Sequence, residues 1–240
     1  MKSIKILPLN VHNSWGEFLN QDRLSQLEKI AHSIGDHFTP VEDKVLRFMT
    51  NDLKRLKIVI LGQDPYPQEG RATGRAFEVG DLASWGDSFR QVSLKNIVRL
   101  IHKTSNNIER YDQIKSFSEI KALILKDEFK ILRPNELFKS WEKQGVLLLN
   151  SYFTCEVGRP ESHREIWADF SNDLMQYLVK QNPHLTWFLW GKEANSFRRL
   201  IINGKIYSSR HPMMCSEEFE DDFLKSPCFH DTRSDIQWLG

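Results

Sequence analysis

The chain has 240 residues, 40% of them hydrophobic and 27% charged, with a formal net charge of +1, which suits one α/β domain with a sizeable core and argues against a disordered or repeat protein. The near-neutral balance excludes an overall basic nucleic-acid coat and leaves only local basic tracks open. No apolar run is long enough to span a membrane, and Cys155, Cys215 and Cys228 are too widely spaced for a disulfide framework, a zinc site or an iron–sulfur cluster, so reduced thiols, no metal and no cofactor are expected.

In chain order, Met1 to Leu7 begins like a secretory leader, but polar Asn10, His12, Asn13 and Ser14 interrupt it and no small-residue cleavage site follows, so a cytoplasmic protein is expected. Leu24, Leu27, Ile30 and Ala31 form a helical apolar stripe. Ile58 to Leu61 then reads as a buried parallel strand, and Gly62 and Pro65 fix the turn after it, placing Asp64 at the strand's carboxyl end. Leu94, Ile97, Val98 and Ile101 predict a second helix, and Phe117, Ile120, Leu123 and Ile124 another. The strand Val146 to Leu149 delivers Asn150, and a helix carries Trp167, Phe170, Leu174, Tyr177 and Leu178. Leu185 to Trp190 delivers Gly191 and Lys192, and Ile206 to Ser208 delivers Ser209, Arg210, His211 and Pro212. Four strands separated by helices imply a parallel sheet whose carboxyl edge would gather Asp64, Asn150 and His211 into one crevice.

Several motifs, in order, resemble those of the family 1 uracil-DNA glycosylases. Gly62-Gln63-Asp64-Pro65-Tyr66 is similar to the family's water-activating loop, Leu147-Leu148-Leu149-Asn150 to its base-reading strand end, and His211-Pro212 to the start of its DNA-intercalating loop. Thr73-Gly74-Arg75-Ala76-Phe77 resembles the segment supplying a base-stacking aromatic, Ser93-Leu94 the start of the helix after the proline-rich loop, and Trp190-Gly191 with Ala194 the loop that pinches the DNA backbone. The resemblance spans roughly residues 15 to 239. It implies a single three-layer α/β/α domain over 1–240 with a central four-stranded parallel sheet; the connection from Ile101 to Val146 is longer than the resemblance predicts, and Phe117, Ile120, Leu123 and Ile124 suggest a helical insertion around 104–133. It also implies a monomer acting on DNA with a flipped base, and a proteinaceous glycosylase inhibitor as a further partner.

The chemistry of such a reaction suits these residue types. Breaking an N-glycosidic bond builds positive charge on the deoxyribose and negative charge on the departing base, so an anion belongs near the sugar and a donor at the base oxygen. The resemblance assigns Asp64 to the sugar and the attacking water, and a neutral His211 to the 2-oxygen of uracil. It assigns Asn150 to the base edge, Phe77 to its face, Tyr66 to the space that a thymine methyl would need, and Gln63 to a place against the base. Ser93, Lys192, Met213, Met214 and Ser216 fall on the DNA-facing loops. Taken singly, Asn150 would read as a strand-end cap, Phe77 as core and Tyr66 as a turn residue.

Departures cluster on the same loops. Pro67 stands where a histidine usually follows Asp-Pro-Tyr, Asp87 to Val92 contains no proline, Lys192 replaces a phosphate-binding serine, and Met213-Met214 replaces the segment that carries the inserting leucine. Arg71, Arg75, Lys192, Arg198, Arg199, Lys205 and Arg210 lie in or near these loops, whereas the acidic run Glu217 to Asp222 would repel phosphate unless it turns away. Two alternatives to uracil excision follow. One is removal of a modified pyrimidine, such as hydroxymethylated or glucosylated cytosine in foreign DNA. The other is a mainly non-catalytic DNA-binding or polymerase-accessory role, since Asp-Pro-Tyr-Pro resembles the loop of the poxviral glycosylases.

Overall fold

The computed structural model describes residues 4–240, so Met1, Lys2 and Ser3 of the leader-like stretch lie outside the described residues. Strand β1 (Phe38–Thr39) pairs antiparallel with β4 (Cys155–Glu156), a two-stranded ribbon that the short segments gave no periodicity to predict. The main sheet contains β2 (Ile58–Gly62), β3 (Val146–Asn150), β5 (Thr186–Trp190) and β6 (Lys205–Ser209). They run parallel in the order β3-β2-β5-β6, as the four apolar segments imply.

Helices α1 (Gln21–Ser33), α2 (Glu42–Val45), α3 (Val92–Ser105), α4 (Phe117–Leu125), α5 (Pro134–Gln144), α6 (Arg164–Gln181), α7 (Lys192–Ser196) and α8 (Cys228–Asp231) precede, connect or follow the strands. The sheet is covered on both sides, which explains why its central strands are apolar runs rather than alternating ones. Val59, Leu61, Leu147, Leu149, Trp187 and Leu189 point to the layer that holds Leu27 and Ile30 of α1 and Trp167, Phe170 and Leu174 of α6. Ile58, Ile60, Val146, Leu148, Phe188 and Trp190 point to the opposite layer, with Leu94 and Ile97 of α3, Leu137 and Trp141 of α5 and Phe229 of α8. Successive strand residues thus fill two cores, and the result is a three-layer α/β/α domain.

Helix α4 lies within the segment 104–133. Its start is fixed by a capping box in which Ser116 and Glu119 exchange hydrogen bonds. Phe117 packs edge-on against Trp85 and Phe89, and Lys121 Nζ donates to the Gly86 carbonyl. The helix therefore braces the proline-free loop before α3 from outside. No helix among the described residues is long and apolar enough to cross a membrane.

Candidate active site

The carboxyl ends of β2 and β3 lie side by side, because Gly62 pairs with Asn150 in register. The turn after β2 is tied to the segment after β3 along its length. Ser151 N–H and Oγ both donate to the Gly62 carbonyl at 2.9 Å, Tyr152 N–H to Gln63 O at 3.0 Å, and Gly158 N–H to Pro67 O at 2.8 Å. Cys155 Sγ donates to Pro65 O at 3.6 Å; burial pushes this thiol up to about 12, so it remains a neutral donor. Four hydrogen-bonded carbonyls hold the loop that carries Asp64.

A cavity of about 380 Å³ opens at this sheet edge. Gln63, Asp64, Tyr66, Phe77, Asn150 and His211 all line it, together with Ser93 and Met213. An acid, an amide and an imidazole contributed by three strand ends therefore meet in one crevice, the arrangement expected of open α/β sheets. Space at its base depends on Gly62, where an added Cβ would stand 2.7 Å from Asn150 Oδ1 and 3.0 Å from Ala76 Cβ.

Asp64 is half-buried, and Oδ2 accepts the backbone N–H of Glu161 at 2.9 Å. Burial pushes its carboxyl above the ordinary range; the Glu161 N–H opposes that shift, while the Glu161 and Glu193 carboxylates reinforce it. His211 follows β6, and burial pulls its ring below the usual imidazole value, so the neutral form prevails at pH 7. Nδ1 accepts the Met213 N–H at 3.2 Å, which leaves the ring's proton on Nε2 and makes that nitrogen a donor. Gly191 makes room for the ring: at φ +92° it adopts a backbone shape suited to glycine, and a Cβ there would lie 2.9 Å from His211 Cβ.

Phe77 holds φ at +66°, a left-handed conformation costing about 1–3 kcal/mol for a residue with a side chain. Its ring lies 5.4 Å from Trp190 and 6.1 Å from His211, centroid to centroid. Tyr66 Oη donates to Phe77 O at 3.4 Å, and burial raises its phenol so that it stays protonated. The inner residues are thus interlocked with one another as well as with the sheet.

The outer residues are placed differently. Met213 and Met214 are 58% and 56% exposed, and Lys192 projects from the start of α7 outside the cavity. Ser216 is half-buried, its N–H donating to Asp222 Oδ2 at 2.8 Å. The acidic run is partly structural: Asp222 is 1% exposed and also accepts from Leu224 N–H and the Tyr111 hydroxyl, and Asp221 pairs with Arg210 at 3.1 Å. Of the basic residues near the loops, Arg75 is buried in an ion cluster, Arg71 pairs with Asp81, Lys205 with Asp231, and Arg198 donates to Ser208 Oγ. Lys192 and Arg199 make no ion pair among the described residues.

Sequence reasoning passed over the supports given by Asn96 and Glu161, and it read Gly191 only as part of the loop after Trp190. Asn96 Nδ2 donates to Pro212 O at 2.6 Å and so anchors the His211 loop to α3; its signal was a polar residue within the apolar stripe of Leu94, Ile97 and Val98. Glu161, at φ +63°, meets Asp64 from 97 residues away, and Gly191 meets His211 across the sheet edge. Neither contact has a local sequence signal.

Residues 49–233 match the Uracil DNA glycosylase superfamily. The chain is 31% identical over 238 residues to the uracil-DNA glycosylase of Borrelia turicatae, covering 94% of this chain and 93% of that one. It is 26% identical over 211 residues to that of Streptococcus suis, covering 84% and 83%. The fold is shared with the crystal structure of UNG from Nitratifractor salsuginis, at 23% identity and a TM-score of 0.68 over 85% of each chain. It is also shared with a mimivirus UNG variant solved in complex with UGI, at 23% identity and a TM-score of 0.67, covering 88% and 72%. With its family match extending over most of its length, the chain belongs to the uracil DNA glycosylase superfamily.

Proposed function

We propose that this protein is a monofunctional uracil-DNA glycosylase, which accepts a flipped uracil and hydrolyses its N-glycosidic bond to leave an abasic site. The observation that carries this reading is the joint lining of one cavity by Asp64, Asn150, Phe77 and His211 in a chain of this superfamily. As the bond to N1 lengthens, Asp64 stabilises the cationic sugar and orients the water that adds to C1′, while the Nε2 proton of neutral His211 meets the charge growing on the 2-oxygen. Asn150 accepts from the ring N3–H and donates to the 4-oxygen, a pattern that cytosine does not match. Phe77 stacks on the base, Tyr66 fills the space beside the 5-position, and Gln63 lies against the base.

Ser93, Lys192, Met213, Met214 and Ser216 engage the DNA backbone and the gap left by the flipped nucleotide. In this reading Lys192 meets phosphate as a point charge and Met213 or Met214 supplies the apolar wedge. The chain is taken as one domain with segment 104–133 inserted, acting as a monomer in the cytoplasm, which its three free cysteines support. A proteinaceous glycosylase inhibitor is a further partner in this reading, supported by the mimivirus UNG variant solved in complex with UGI.

Base release from oligonucleotides carrying one uracil, thymine, hydroxymethylcytosine or glucosylated cytosine tests this function. Release of uracil alone is expected. Release of a modified cytosine instead would assign the catalytic groups to a different base, and release of none would favour an accessory role.

A further inference from the structure

Beneath the segment that carries Phe77 lies a group of buried charges that the chemistry above does not use. Arg75 is 7% exposed and Glu78 4%. Arg75 Nη1 donates to Glu78 Oε2 at 3.0 Å, and Nη2 donates to Glu142 of α5. Glu142 also accepts from Asn51 Nδ2 at 3.1 Å and lies 3.8 Å from Arg47, whose Nη1 donates to the Thr73 carbonyl at 3.2 Å. Thr73 Oγ1 in turn donates to Glu78 Oε2 and accepts the Arg75 N–H. Two guanidinium and two carboxylate groups therefore close a neutral circuit around the backbone of residues 73–78.

Such a circuit is an expensive way to fill a core, because desolvating paired charges often costs as much as their attraction returns. The Nε atoms of both Arg47 and Arg75 are buried without a partner, which adds to that cost. Burial opposes ionisation of Glu142, yet the Arg75 hydrogen bond and charge outweigh it and hold this carboxyl below its usual value. What the circuit encloses is the left-handed turn at Phe77. Its arms come from both sides of that turn, from Arg75 two residues before it and Glu78 one residue after. Glu142 connects it to the helix that leads through Gly145 into the Asn150 strand.

We propose that the Arg47–Arg75–Glu78–Glu142 circuit is a positioning device that holds Phe77 in its strained conformation for stacking on the base, with Glu142 as its fixed point. This rests on the functional reading above. Arg75 and Glu142 are positioning residues in it, since they act through Phe77.

The test is a double-mutant cycle read by binding of free uracil, which reports the base cavity without any contribution from DNA. Folding of each variant is checked by circular dichroism at the assay temperature. Phe77→Ala is expected to weaken uracil binding about tenfold. Glu142→Gln, which keeps the shape and removes the charge, is expected to weaken it about fivefold in the parent, but by less than about twofold once Phe77 is already alanine. Where Glu142→Gln does not fold, Arg75→Lys replaces it, since it keeps the charge and loses the planar fork, and the same non-additivity is expected. Equal weakening in both backgrounds, or unchanged uracil binding in Glu142→Gln, would overturn the proposal and leave the circuit a stability element. If the unaltered chain binds no uracil, the functional reading fails and the positioning role falls with it, an outcome distinct from additivity in a chain that does bind.

Discussion

The floor and the rim of the cavity are built on opposite principles. On the floor, Asp64, Phe77, Asn150 and His211 are each held by contacts from at least one other segment: the Glu161 N–H, the Trp190 ring, the paired Gly62 strand and the Phe77 ring. At the rim, Met213, Met214 and Lys192 are exposed on loops and helix ends. Groups that stabilise a transition state need fixed geometry before the substrate arrives, whereas groups that follow a DNA backbone can settle on contact. In the proposed function, this difference lets Met213 and Lys192 serve at the rim while the floor supplies the acid, the amide and the imidazole.

Changes to the floor should therefore be costly in rate, and changes to the rim mild. Gly191→Ala adds a Cβ 2.9 Å from His211 Cβ and a side chain at φ +92°. Steady-state kinetics on a uracil oligonucleotide should show kcat falling about tenfold to a hundredfold as the imidazole is displaced; a change confined to KM would mean that the floor tolerates movement.

The pH profile of kcat/KM sharpens the comparison, since it reports the floor alone. In the proposed mechanism Asp64 acts ionised, with its pKa raised by burial, and His211 acts neutral, with its pKa lowered by burial. The Asp64 limb therefore lies above the ordinary carboxylate value and the His211 limb below the ordinary imidazole value, with activity dropping about tenfold per pH unit below the higher of the two and about a hundredfold below both. A limb above the ordinary histidine value would place the imidazole in a different environment.

At the rim, Met213→Ala and Lys192→Ala should each raise KM for DNA by no more than about threefold and leave kcat unchanged. Lys192→Ala should also reduce the slope of log affinity against log salt by about one if it meets a phosphate. A loss as large as that of Gly191→Ala would erase the distinction between floor and rim.

Much of this was legible in the sequence, and the reason is periodicity. The runs Ile58 to Leu61 and Val146 to Leu149 are short, apolar and punctuated by Gly62 and Asn150, so strand, direction and carboxyl-end residue could be read together. The stripes of α1, α3, α4 and α6 were equally plain. Contacts that join distant segments were not legible. Arg75 reads as one of the basic residues near the DNA-facing loops but is drawn inward by Glu142, 67 residues away, and Asp222 reads as part of an acidic run that would repel phosphate but caps the turn at Leu224. Charge sign is visible in a sequence, but its partner across the fold is not.

Replacing Asp64 with asparagine tests the central claim most directly, through single-turnover release of uracil from an oligonucleotide and thermal melting of the same samples. A buried carboxyl with a raised pKa binds its proton more tightly in the folded than in the unfolded chain, so ionised Asp64 costs stability as pH rises through that pKa. The account predicts that the parent frees uracil and leaves an alkali-labile abasic site, whereas Asp64→Asn is slower by about three orders of magnitude and melts at a higher temperature at pH 7. Uracil release by Asp64→Asn at the parental rate would contradict it.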